Sequence, residues 1–212
     1  MYEKFYGLRE RPFALLPDPS FLYMSKAHAT ALTLLRYSIV NRQGFTVVSG
    51  EVGSGKTTLV NRLLDEMTTG VTVGLINFTT RTFGDMAEWI MMAYGLEYKG
   101  KGKVELYDAF VQFLIREYAA GRPVVLIIDE AQNLGVRGLE EVRMLSNVNA
   151  QKSYLLHVIL VGQPELRSLL QSPQLRQLTQ RVSVAYHLRR LNAAEIDAYI
   201  KHRVTVAGGP PE

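Results

Sequence analysis

Gly50-Glu51-Val52-Gly53-Ser54-Gly55-Lys56-Thr57 fits the pattern G-x-x-x-x-G-K-[ST], and the residues on either side decide how it is read. Phe45-Thr46-Val47-Val48-Ser49 reads as a short buried strand, and Thr58-Leu59-Val60-Asn61-Arg62-Leu63-Leu64 reads as a helix. A strand, a glycine-rich loop and a helix N-terminus together make an anion site. The first N–H groups of the helix have no helical acceptor, and the helix dipole favours negative charge there. Glycines let the backbone curl around oxygen atoms with no Cβ in the way. In this reading the backbone of Gly50, Glu51, Val52, Gly53, Ser54 and Gly55, continuing through Lys56 and Thr57 to Thr58, cradles phosphates. Lys56 reaches the β- and γ-phosphates, and the Thr57 hydroxyl holds Mg²⁺.

The second decisive stretch is Val124-Val125-Leu126-Ile127-Ile128-Asp129-Glu130. A continuous apolar run is the pattern of a strand buried on both faces. Here it ends in two carboxylates at the sheet edge where open α/β sheets place their ligands. Asp129 would hold Mg²⁺ and Glu130 would polarise an attacking water. A further apolar strand, Leu155–Val161, ends at Gly162-Gln163. If it lies between the first strand and the Asp129 strand, Gln163 projects toward the γ-phosphate. Arg176 and Arg181 flank a short helix before the last strand. Phosphoryl transfer gains from an arginine that neutralises charge in the transition state, and Arg181, at a helix–strand junction, would face an adjacent subunit. Arg176 is a second candidate for that role or for supporting it. His28 lies among apolar residues on an early helix, where it either packs or lines a base pocket.

Composition narrows the chemistry. The 212 residues contain no cysteine, which excludes disulfides, thiol catalysis and cysteine-held zinc or iron–sulfur sites, and suits the cytoplasm. Four scattered histidines show no HxxxH or HExxH spacing, which argues against a catalytic metal other than Mg²⁺. No G-x-S-x-G is present. Apolar content of 47% with 21% charged residues is that of an ordinary globular domain. The net charge of +4 permits an anionic partner without specifying one. No apolar run reaches the roughly 18 residues of a membrane span, and the N-terminus lacks a signal core.

Around these motifs the chain alternates helix and strand, which predicts a parallel sheet covered on both faces. Residues 1–24, with Pro12, Pro17 and Pro19 among aromatics, read as an extended lead-in that packs on the domain. Ser25 caps a helix to about Arg42. Later elements are expected at Val71–Phe78 (strand), Phe83–Tyr94, Val104–Ala120 and Leu139–Asn147 (helices), Glu165–Gln171 and Gln174–Gln180 (helical pieces), Val182–His187 (strand) and Ala193–Arg203 (helix). Lys99-Gly100-Lys101-Gly102-Lys103 reads as a flexible basic loop. The final helix has an apolar face of Ile196, Tyr199 and Ile200 with no later segment to cover it, so the chain reads as a fragment of a longer protein.

Four stretches taken together carry a resemblance: Gly-Glu-Val-Gly-Ser-Gly-Lys-Thr-Thr from Gly50, Ile-Ile-Asp-Glu-Ala-Gln-Asn-Leu from Ile127, Val-Gly-Gln-Pro-Glu-Leu from Val161, and Leu-Arg-Gln-Leu-Thr-Gln-Arg-Val from Leu175. Their order resembles the AAA+ ATPases of the ExeA/GspA type, including relatives in MSHA pilus biogenesis and in exosortase and exopolysaccharide systems. The lead-in and the closing Tyr-Ile-Lys-His-Arg-Val are similar too. One departure is Arg189-Arg190, where relatives carry a proline before the leucine. The resemblance implies an α/β fold, a three-layer αβα phosphate-loop NTPase with a parallel five-stranded sheet ordered 5-1-4-3-2. It divides the chain into a lead-in and first helix (1–44), an ATPase core (45–190) and the start of a truncated helical lid (191–212). It implies hydrolysis of ATP to ADP and phosphate with Mg²⁺ at a subunit interface, weak in this stretch alone. Gln163 would stand in the sensor position and Arg181 in the finger position. It further implies nucleotide-dependent homo-oligomers and envelope assembly proteins as partners. The expected location is the cytoplasm, at the inner face of the membrane where relatives continue into a span. Two alternatives stay open: a transposition regulator of the TnsC type that wraps DNA, and a slow nucleotide-gated scaffold.

Overall fold

The computed structural model describes residues 2–14, 18–67, 70–77, 85–150 and 153–210. Its centre is a parallel sheet of β1 (Phe45–Gly50), β2 (Thr72–Asn77), β3 (Val124–Asp129), β6 (Leu156–Gly162) and β7 (Val182–Leu188). The order is β2-β3-β6-β1-β7. Counted within this sheet and from the other edge, that is the expected 5-1-4-3-2. The numbering skips a two-stranded antiparallel hairpin, β4 (Asn149–Ala150) with β5 (Ser153–Tyr154). The sequence reading had taken that stretch as a plain connection, because two-residue strands carry no alternation to detect.

Burial explains the layering. Every residue of β1, β3 and β6 is buried. Successive side chains of a strand point to opposite faces, so each central strand feeds two cores. Val124, Leu126 and Ile128 join Phe45, Val47, Val158 and Leu160 on one face, whereas Val125 and Ile127 join Val48, Ile159 and Val161 on the other. The first face is covered by α4 (Met86–Ala93), α5 (Lys103–Ala119), α6 (Gly135–Leu145) and α7 (Pro164–Leu170), and by a short helix, α8 (Arg176–Thr179). The second is covered by α2 (Lys26–Val40) and α3 (Lys56–Glu66). Ala31, Leu35 and Ile39 recur at four-residue spacing on α2, which puts them on one stripe against the sheet. Each such buried Leu, Ile or Val contributes about 1.5–3 kcal/mol relative to exposure. Edge strand β7 instead alternates half-buried and exposed residues, as one-sided cover requires.

Three boundaries moved for identifiable reasons. Helix α6 starts at Gly135 rather than Leu139, because a 3-10 turn at Ala131–Leu134 delivers the chain straight into it. Gly135 and Gly138 are weak helix formers and hid that start. The last helix, α9, runs Ala193–Val206, one turn beyond the expected end. Lys103 opens α5 rather than ending a loop, and the basic run is not a free patch: Lys103 pairs with Asp85 at 2.8 Å and Lys101 with Glu97 at 3.2 Å. Phe78, Phe83 and Pro17, used in the expected boundaries and lead-in, lie outside the described residues.

The described part of the lead-in contains a helical turn, α1 (Tyr2–Phe5), and a 3-10 turn at Pro19–Phe21, and only part of it packs as expected. Phe21 is buried, but Phe5 and Tyr6 are 82% and 64% exposed and touch each other edge-on. The lead-in supplies α9 with the cover that no later segment was expected to give. Phe13 and Tyr23 flank Tyr199, and the Arg203 guanidinium lies 4.7 Å over the Phe21 ring and donates to the Pro12 carbonyl. Ile196 and Ile200 remain 46% exposed.

His157, on β6, is buried and neutral. Its Nδ1–H donates to the Gln43 carbonyl, and burial pushes its pKa from 6.5 down to about 4. As pH falls below 6.5 the unfolded chain takes a proton that the folded chain refuses until about pH 4. Stability is therefore complete above pH 6.5 and falls by about 3 kcal/mol between pH 6.5 and 4. Urea unfolding at steps across this window should show the loss in the parent and a smaller loss in His157→Asn. Equal pH dependence in both would show that His157 does not carry it.

Candidate nucleotide site

Strand β1 delivers the chain to the loop, and α3 carries it away. Gly53 and Gly55 adopt φ of 76° and 87°, the left-handed region that glycine tolerates. Gly55 is constrained twice, since a Cβ there would stand 2.8 Å from His28 Nε2. Gly55 also caps α3 without any side-chain acceptor, so the first N–H groups of the helix are left for an anion. Lys56 is buried, and its Nζ donates to the carbonyls of Gly50 at 2.8 Å and Glu51 at 2.9 Å. Burial pushes its pKa down, while Glu130 and Asp129 nearby pull it back up.

Asp129 is buried at the end of β3. Its Oδ2 accepts the Thr57 hydroxyl at 2.7 Å, and its Oδ1 accepts the Glu130 N–H at 2.9 Å. A hydroxyl beside a carboxylate is an all-oxygen donor set suited to a hard divalent cation, so Thr57 and Asp129 fit Mg²⁺. Glu130 follows with φ of 52°, left-handed for a non-glycine residue. Its Oε2 accepts two amides, Gln163 Nε2 at 2.9 Å and Gln132 Nε2 at 2.5 Å. Strand β6 lies between β1 and β3, the condition on which the expected place of Gln163 rested, and the Gln163 side chain is bonded to Glu130 there. Gln132 was read only as part of a motif. The signal available was an amide two residues beyond Glu130.

A cleft of about 520 Å³ opens beside the loop, between the lead-in and α9. Tyr23 and His28 line one side, Val52, Gly53 and Thr58 the loop side, and Arg189, Arg190, Ile196 and Tyr199 the far side. His28 is buried and also lines this cleft. The Ser54 carbonyl can only accept, so His28 Nε2 carries the proton across 3.0 Å, and Nδ1 accepts from Ser25 Oγ at 2.7 Å. Burial holds its pKa down, which keeps this neutral tautomer.

The structure does not bring Arg176 or Arg181 to this loop. The Phe45 N–H donates to the Arg181 carbonyl at 3.3 Å, so Arg181 stands at the opposite sheet edge, a strand's length away. Its Nη2 donates to Asn147 Oδ1 at 2.9 Å. Arg176 is exposed on α8.

A buried parallel sheet, a glycine loop at its ligand edge and an acidic strand end facing the loop lysine define a phosphate-loop NTPase. The AAA domain family profile matches residues 39–170, and the chain belongs to that family. It is 41% identical, over 98% of its length, to general secretion pathway protein A of Aeromonas hydrophila, and spans 38% of that protein's length. Among solved structures, the Aeropyrum pernix ORC2 protein in its ADPNP–ADP complexes matches 94% of this chain and 56% of its own, with TM-score 0.69 at 14% identity. Cdc6p from Pyrobaculum aerophilum matches 92% of this chain and 54% of its own, with TM-score 0.63 at 18% identity. These two are likenesses of fold. Among the described residues no helix is long and apolar enough to cross a membrane.

Proposed function

We propose that this chain binds ATP with Mg²⁺ at the Gly50–Thr58 loop and hydrolyses it to ADP and phosphate. The observation that carries the reading is the joined acidic site: Thr57 on Asp129, and Glu130 beside it under two amides. Lys56 exchanges its two loop carbonyls for phosphate oxygens, a stronger acceptor because both partners are then charged. Thr57 and Asp129 hold Mg²⁺, which when bound offsets phosphate charge. Glu130 accepts a proton from water as the water oxygen bonds to the γ-phosphorus and the bond to the bridging oxygen breaks, releasing ADP. Gln163 orients that water or the γ-phosphate. Phosphate release with and without Mg²⁺ tests this; no release by a chain that binds ATP would leave the scaffold reading.

Arg181 cannot serve its own site from the opposite sheet edge, which supports a role on a neighbouring subunit. Arg181→Ala is expected to bind ATP like the parent and hydrolyse little. Adding the Lys56→Ala chain should restore part of the activity, since one subunit then lends its arginine to the other's intact loop. No restoration at any mixing ratio, in a preparation that self-associates, would contradict the trans role.

The resemblance to general secretion pathway protein A of Aeromonas hydrophila supports work on a secretion assembly; pilus or polysaccharide-export assembly, and action at the inner face of the membrane, are parts of the same proposal. The DNA-wrapping alternative has less support, because Lys101 and Lys103 are each paired with a carboxylate. Salt-dependent DNA binding would revive it.

A further inference from the structure

We infer that Gln132 is a positioning residue that aims the Glu130 carboxylate at the attacking water. The inference rests on the ATPase reading above. The Gln132 amide is fastened at both ends. Its Nε2 donates to Glu130 Oε2 at 2.5 Å, and its Oε1 accepts the Gln163 N–H at 3.1 Å. One side chain thus ties the end of β3 to the end of β6.

The strand backbone is shaped around that amide. A Cβ on Gly162 would stand 2.5 Å from Gln132 Oε1, so a residue with a side chain there would occupy the slot in which the amide lies. Gly162 is not among the residues with positive φ, so this glycine is required by space rather than by backbone conformation. The Glu130 backbone is itself held in the left-handed region, and its N–H is committed to Asp129 Oδ1.

The second amide on Glu130 cannot do the same work. Gln163 Nε2 shares the same carboxylate oxygen, but in the proposed cycle it turns to the γ-phosphate or the water. When it leaves, Gln132 remains, because its oxygen stays fixed on the Gln163 backbone rather than on the Gln163 side chain. Glu130 therefore keeps one fixed donor through the cycle and gains freedom on its other lone pairs. Loss of that donor lets the carboxylate swing, and a misplacement of about 1 Å costs on the order of a hundredfold in rate.

Three variants test this: Gln132→Ala, Gly162→Ala and the two together, each measured for ATP affinity and for kcat. Gln132→Ala should lower kcat on the order of ten- to a hundredfold with ATP affinity unchanged. Gly162→Ala should do the same by pushing the amide aside, a shift the flexible end of Gln132 can make without unfolding the strand. In the double variant the amide no longer stands in the methyl's way and only Leu166, with Cδ2 at 3.0 Å and Cβ at 3.2 Å, has to give by a few tenths of an ångström, so a folded double variant should lose no more than Gln132→Ala alone. Losses that multiply, or weaker ATP binding with kcat intact, would overturn the positioning role. Unchanged kcat in Gln132→Ala, alongside a dead Glu130→Gln, would overturn this inference alone. Normal turnover in Glu130→Gln, or none in the parent, would overturn the ATPase reading and this inference with it.

Discussion

Glu130→Gln is expected to bind ATP·Mg²⁺ as the parent does and to hydrolyse it at least about a hundredfold more slowly. The two side chains have the same shape. A glutamine at 130 can turn its carbonyl oxygen to the amides of Gln132 and Gln163, so the geometry around the loop survives. What is lost is the negative charge and the ability to take a proton. The neighbouring carboxylate cannot substitute, because Asp129 has Oδ2 on Thr57 and Oδ1 on the Glu130 N–H. Phosphate release and ATP titration on the same preparation decide the matter. Turnover that persists with ATP bound normally would show that another group accepts the proton.

Much of this site was legible because it lies at strand ends. Continuous apolar runs named β3 and β6, and the polar residues that follow such runs fall at one sheet edge. Lys56, Thr57, Asp129 and Glu130 could therefore be placed together from their motifs, Gln163 only on the condition that its strand lies between β1 and β3, and the sheet order came from the resemblance alone. The Gln132 bridge was not legible, since its role depends on a missing Cβ at Gly162, thirty residues further on, and on register between strands. The inner wall of the cleft was half legible. His28 could be named, but its fixed tautomer needs the Ser54 carbonyl and the Ser25 hydroxyl in three dimensions. The cover that Phe13, Tyr23 and Phe21 give to α9 was missed because it joins the two ends of the chain, and periodicity reads only local order. The pairing of Lys101 and Lys103 was missed for a similar reason. A charge run looks solvated until the carboxylates that approach it are known.

The central claim is that the loop from Gly50 to Thr58 holds the triphosphate, and isothermal titration of ATP·Mg²⁺ into the parent and Lys56→Ala tests it most directly. Lys56 is a buried cation beside two carboxylates; burial pushes its pKa down, and both carboxylates pull against that. Without it, phosphates would approach Asp129 and Glu130 with no side-chain charge from the loop to offset the repulsion. Each charge-assisted hydrogen bond lost is worth about 1.5–3 kcal/mol. The account predicts one site per chain in the parent and affinity weakened by at least about a hundredfold in a folded Lys56→Ala. Equal affinity in the two folded proteins would contradict it.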